Sequence, residues 1–139
     1  FADKEALIAA IYEESVSLPV QDILFHGRLS DPQALKMGID RMLDAIFANA
    51  PLARMVFADA SDPGSAGAAV IDRFFDEAAA KLARDLRRAG GPQFSGQYLK
   101  AVMAAIQWLV KDAIDAGLSS RQRATAKDAA YQLVLKALS

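Results

Sequence analysis

The chain has 139 residues, enough for one domain with a sizeable buried core. Its 16 Lys+Arg against 17 Asp+Glu leave a net charge of −1, without the basic excess of a self-sufficient nucleic-acid-binding domain. Cysteine is absent, which excludes disulfides and thiol chemistry, and no apolar run reaches the roughly 18 residues of a membrane span.

Hydrophobic residues make up 53%, much of it alanine. That surplus predicts apolar surface that a partner covers or that lines a cavity. No strand-like alternation or internal repeat stands out, so the expected fold is all-α, a bundle of about six helices.

The opening, Phe1-Ala2-Asp3-Lys4-Glu5-Ala6-Leu7, reads as a junction with something upstream followed by a fresh helix start. Asp3 suits the N-cap, because its carboxylate can accept from free N–H groups of the first turn. The first helix is expected from about Asp3 to Ser17. Leu7, Ile8, Ile11, Tyr12, Val16 and Leu18 are its apolar residues, and Pro19 should stop or kink it. Over residues 19–30, Val20, Ile23, Leu24 and Phe25 suggest a short helix ended by His26-Gly27.

Asp31-Pro32 starts the next helix, with aspartate at the cap and proline at the first helical position. Leu35, Ile39, Met42, Leu43 and Ile46 share its face, with Phe47 at the edge. Ala50-Pro51 starts a short helix to about Ala60, and Ser61-Asp62-Pro63-Gly64-Ser65 is the clearest loop. A one-sided helix follows from about Ala66 to Ala89, with Ile71, Phe74, Phe75, Ala78, Leu82 and Leu86 on one stripe.

The last two helices differ. Over about Phe94 to Ala116 the apolar arc covers about two-thirds of the circumference, with Ala101, Ala104 and Trp108 on what should be the wet side. Over about Ser119 to Leu138 one face holds Ala126, Ala129, Ala130, Leu133, Val134 and Ala137, and a second holds Tyr131, Leu135 and Leu138. A helix on the outside of a monomer buries one stripe; these two are built to bury two. Either both helices are internal to the bundle or they build a homodimer interface; two terminal helices of so small a bundle are not readily both wrapped, so the pattern favours the interface, with Ala101, Ala105, Trp108, Leu109, Tyr131, Leu135 and Leu138 as its residues.

Catalytic chemistry finds little support. The single histidine, His26, excludes a multi-histidine metal site, and although Asp22 lies one turn before it, nothing marks a serine partner. The pair Asp72 and Asp76 reads as a solvated face. No enzyme activity, metal or cofactor is expected. Met42, Phe47, Met55, Phe57, Phe74, Phe75, Tyr98 and Met103 lie instead on helix faces that should converge. A packed core is the plain reading residue by residue. As a set, flexible methionines with aromatics also suit an adaptable apolar pocket. Tyr12, His26, Asp40 and Gln107 are the polar groups that could orient a ligand there.

Phe1-Ala2-Asp3-Lys4-Glu5-Ala6-Leu7-Ile8 resembles the point where the DNA-binding domain of TetR-family transcriptional regulators passes into its linker helix. Ala50-Pro51-Leu52-Ala53-Arg54-Met55-Val56 is similar to a short Pro-x-Leu-Ala-Arg helix common in that family. The resemblance implies that residues 1–18 are the remnant of a DNA-binding domain and linker, and that 19–139 form the effector-binding and dimerisation domain. It implies a cytoplasmic, ligand-responsive regulator, in the first instance a repressor, whose helix-turn-helix precedes Phe1. Phe1 would pack in the DNA-binding domain, Asp3 would cap the linker helix, Lys4 would meet the DNA backbone, and Leu7 would pack toward the preceding helices. The final two helices would form a four-helix dimer interface. A small apolar effector would contact Tyr12, His26, Met42, Phe47, Met55, Phe74, Met103 and Gln107, and would change the tilt of the first helix, with Pro19 and Gly27 as places for that movement. The alternative is a stand-alone helical dimerisation or scaffold module that binds no small molecule.

Overall fold

A computed structural model describes residues 3–18 and 31–138. These residues form six helices and no strand. They are α1 (Lys4–Tyr12, continued by a π-helical segment Glu13–Ser17), α2 (Pro32–Ala48), α3 (Ala50–Ala60), α4 (Ala66–Arg88), α5 (Gly96–Asp115) and α6 (Ser120–Ala137). The short helix expected over residues 19–30 lies outside the described residues.

Local chemistry sets the helix starts. Asp3 Oδ1 accepts from the Ala6 N–H at 2.7 Å, and Asp31 accepts from the Gln33 and Ala34 N–H groups, with Pro32 leading α2. Ser65, Ser95 and Ser119 cap α4, α5 and α6. Each accepts bonds that the first turn of a helix cannot make internally. At Ser119 the arrangement is reciprocal: its hydroxyl accepts from the Gln122 N–H while Gln122 Oε1 accepts from the Ser119 N–H, at 3.2 and 2.8 Å. α5 therefore begins at Gly96, behind its serine cap, rather than near Phe94 as the hydrophobic pattern suggested.

α5 stops where Gly117 takes φ +104°, letting the Leu118 N–H reach back to the Ala113 carbonyl at 3.1 Å. The last turn of α5 has a second anchor. Arg54, from the Pro51-Leu52-Ala53-Arg54 segment of α3, donates from Nη2 to the Ile114 carbonyl at 2.7 Å. Ala53 beside it is wholly buried.

α1 lies against α3 and α4, α4 against α5, α5 against α6, and α2 against α6. The main core joins Ile8, Tyr12 and Val16 of the first helix to Leu35, Ile39, Leu43 and Ile46 of α2, to Val56 and Phe57 of α3, and to Val110, Ile114, Ala126, Ala130 and Val134 of α5 and α6. A smaller cluster of Ala79, Leu82, Leu86 and Leu99 closes the far end of the α4–α5 pair. Asp72 and Asp76 remain exposed but hold one partner between them: Lys100 Nζ of α5 lies 2.6 Å from Asp76 and 3.2 Å from Asp72. Among the described residues no helix is long and apolar enough to cross a membrane.

The first helix is not regular throughout. From Glu13 to Ser17 it widens into a π turn, and the Leu18 N–H bonds to the Glu13 carbonyl, five residues back. Ser15 is fully buried in this turn, and its hydroxyl donates to the Ile11 carbonyl at 2.8 Å. Leu18, expected on the apolar face, is half exposed.

Candidate functional site: an apolar cavity at the end of the first helix

Five segments surround a cavity of about 70 Å³. Tyr12 and Val16 enter from α1 and its π turn, Met42 and Ile46 from α2, and Phe57 from α3. Phe74 and Phe75 enter from α4, and Met103, Ile106, Gln107 and Val110 from α5. Helical spacing explains why these residues meet: Tyr12/Val16 and Met42/Ile46 are four apart, and Met103/Ile106 and Gln107/Val110 are three apart.

The walls are almost wholly apolar. Tyr12 stands with its ring edge-on to Phe74, centroids 5.3 Å apart at 69°, and Phe74 leans on Phe75 at 6.0 Å. Two methionines face the same space, and their thioether chains adapt to a changed neighbour at low cost. Among the described residues no Asp, Glu, Lys or Arg lines the cavity. The polar groups that the described residues bring to it are the Tyr12 hydroxyl and the Gln107 amide. The hydroxyl donates to Gln107 Oε1 at 3.4 Å, well beyond the 2.7–2.8 Å typical of an O–H···O bond. Burial pushes the Tyr12 phenol well above its ordinary range, so it stays protonated and acts as a donor.

Of the eight expected effector contacts, the structure brings Tyr12, Met42, Phe74, Met103 and Gln107 together here. Phe47 does not line the cavity. It sits one position beyond Ile46, turned about 100° around α2, and packs into the main core. Met55 is corrected more sharply. The inner side of α3 carries Ala53, Val56 and Phe57, so Met55 falls on the outer side and is 52% exposed. His26 lies outside the described residues. Of the other groups considered, Asp40 does not line the cavity. Tyr98 is far from it, stacked on Phe94 at 5.1 Å and donating to the Ala137 carbonyl at 2.8 Å. The sequence reading missed Val16, Ile46, Ile106 and Val110 as lining residues; their spacing from Tyr12, Met42, Met103 and Gln107 was the available signal.

At the opposite end of α1, Lys4 Nζ lies 2.8 Å from Asp59 Oδ1, although most of its side chain is exposed. Asp59 Oδ2 accepts the Gly67 N–H at 2.6 Å. These contacts, the lysine first, hold the Asp59 carboxyl below its ordinary value, and Asp59 in turn raises Lys4. The next residue, Glu5, pairs with Arg73 at 2.7 Å. Leu7 is exposed on this helix. α1 is thus tied to α4 twice, by Glu5–Arg73 near its start and by Tyr12–Phe74 at the cavity.

The residues expected at a dimer interface divide in the single chain, Leu109, Tyr131 and Leu138 packing partly against its own core. Trp108 is 62% exposed and Ala101 and Leu135 are exposed, while Ala105, Leu109, Tyr131 and Leu138 are half-buried. No group of His, Asp or Glu among the described residues is placed to hold a metal ion. No family model matches the chain, and neither a curated protein nor a solved structure is similar to it at a significant level.

Proposed function

We propose that this chain senses a small apolar effector and dimerises, as the regulatory part of a TetR-like transcriptional regulator, with repression as the default mode. One observation carries the reading: an apolar cavity opens against Tyr12 at the end of the same helix whose first residues, with Phe1 and Ala2, make the family-like segment. A ligand there displaces the Tyr12 ring against Phe74. Because α1 is tied to α4, that displacement moves the helix that carries Lys4, about 12 Å away along eight residues of α-helical rise. Regulation follows to the extent that ligand and operator DNA favour different positions of α1. The DNA-reading element would be a helix-turn-helix preceding Phe1, in a dimer whose two heads match half-sites about one helical turn apart. The exposed Trp108 and Leu135 support α5 and α6 as the pairing surface, in a cytoplasmic homodimer with no enzymatic activity.

The size of the cavity favours a second reading. About 70 Å³ is well below the roughly 300 Å³ at which drug-sized ligand pockets begin. A dimerisation or scaffold module with no small-molecule partner would need only this much space. Thermal-shift measurement with a panel of neutral apolar compounds separates the two. The effector reading expects several compounds to raise the melting temperature. No response across the panel, with dimerisation intact, supports the scaffold.

A further inference from the structure

We infer that the cavity takes a neutral, single-ring aromatic compound bearing one hydroxyl group, with that hydroxyl seated between Tyr12 and Gln107. The inference rests on the effector reading and narrows it to a ligand class.

Size comes first. A 70 Å³ cavity is about half the 150 Å³ of an engineered apolar cavity that holds benzene, so one ring is the most it takes once the flexible Met42 and Met103 side chains shift. A fused-ring or long-chain ligand would require the helices to separate. Charge comes second. With no Asp, Glu, Lys or Arg among the described residues at the wall, an anion or cation would lose its hydration with no opposite charge there to replace it. Ring contacts come third: Tyr12, Phe74 and Phe75 offer edges and faces to an aromatic guest.

The polar end is decided by the Tyr12–Gln107 pair. Its 3.4 Å bond is long, so a buried hydroxyl is left poorly satisfied. A ligand hydroxyl suits both sides at once: it accepts from the Tyr12 O–H and donates to Gln107 Oε1. A ligand carbonyl could only accept, and would require the Gln107 amide to turn over. A plain hydrocarbon would leave the long bond as it stands.

Titration of the chain with phenol, benzene and benzoate, followed by NMR, tests this. Phenol should bind roughly three- to tenfold more tightly than benzene, the gain expected of one well-formed hydrogen bond. Benzoate should not bind. Tyr12→Phe keeps the ring on Phe74 and should abolish the preference, so that phenol binds the variant no more tightly than benzene does; Gln107→Leu should abolish it too. Equal binding of phenol and benzene by the unaltered chain, or binding of benzoate as tight as phenol, overturns the ligand class and leaves the cavity a ligand site. Binding of none of the three overturns both this inference and the effector reading for ligands of one ring.

Discussion

Asp59 and Gly67 are locked together: Asp59 Oδ2 accepts the Gly67 N–H at 2.6 Å, and a β-carbon added at Gly67 would lie 2.7 Å from that same oxygen. It would also lie 3.0 Å from the Ala60 backbone nitrogen and 3.1 Å from the Val56 carbonyl, neither of which can swing aside. Here glycine allows α4 to start in contact with α3. Gly67→Ala should therefore cost about 1–3 kcal/mol, the usual range for overpacking. Urea denaturation would show it as a lower midpoint with an unchanged slope.

The same carboxylate gives a pH dependence. Its pKa is depressed in the folded chain, so its stabilising contribution is complete above the ordinary value of 3.8 and is lost as pH falls through the lower, folded value. Asp59→Asn removes that contribution. The stability difference between the unaltered chain and Asp59→Asn should be constant near neutral pH and shrink as pH drops below about 4. A difference that stays constant or grows on acidification would contradict the pairing.

The core separates two residues that look alike in the sequence. Leu43 is wholly buried on α2, whereas Met55 is 52% exposed on α3. Leu43→Ala should cost about 2–5 kcal/mol. Met55→Ala should fall within about 0.5 kcal/mol of the unaltered chain. A large loss at Met55 would show that its outer face is covered.

The helix order was legible because caps and breakers stand where the pattern changes: Asp3, Asp31-Pro32, Ala50-Pro51, Ser65 and Gly117 mark ends that the structure keeps. The π turn at Glu13–Ser17 was not legible. It depends on packing of Tyr12, Ser15 and Val16 against the other helices, and no local residue announces it. The cavity was half legible. Composition drew Met42, Phe74, Met103 and Gln107 together, but α3 is short, and on it a step of two residues, about 200° around the helix, separates Phe57, which lines the space, from Met55, which does not. Hydrophobicity alone ranks such neighbours equally, whereas the angle around the helix sorts them.

Trp108 is the chain's single tryptophan and reports on the surface of α5. If α5 and α6 pair with a second copy, its emission should shift to the blue and resist acrylamide quenching as concentration rises. Trp108→Glu should weaken the dimer by about 2 kcal/mol or more, roughly thirtyfold in Kd, as loss of a central interface aromatic does. Sedimentation equilibrium measures this. A monomer at micromolar concentration for the unaltered chain, or an undiminished dimer for Trp108→Glu, would remove α5 from the interface.

Ligand entry into the cavity beside Tyr12 can be read at the methionines. Of the four, Met42 and Met103 line the cavity, whereas Met37 and Met55 are 60% and 52% exposed. In a chain labelled at the methionine methyl groups, titration with phenol should move the Met42 and Met103 signals together along one saturable curve and leave Met37 and Met55 in place. Four unmoved signals at saturating phenol, or shifts confined to Met37 and Met55, would contradict the claim that this cavity is where the chain senses its ligand.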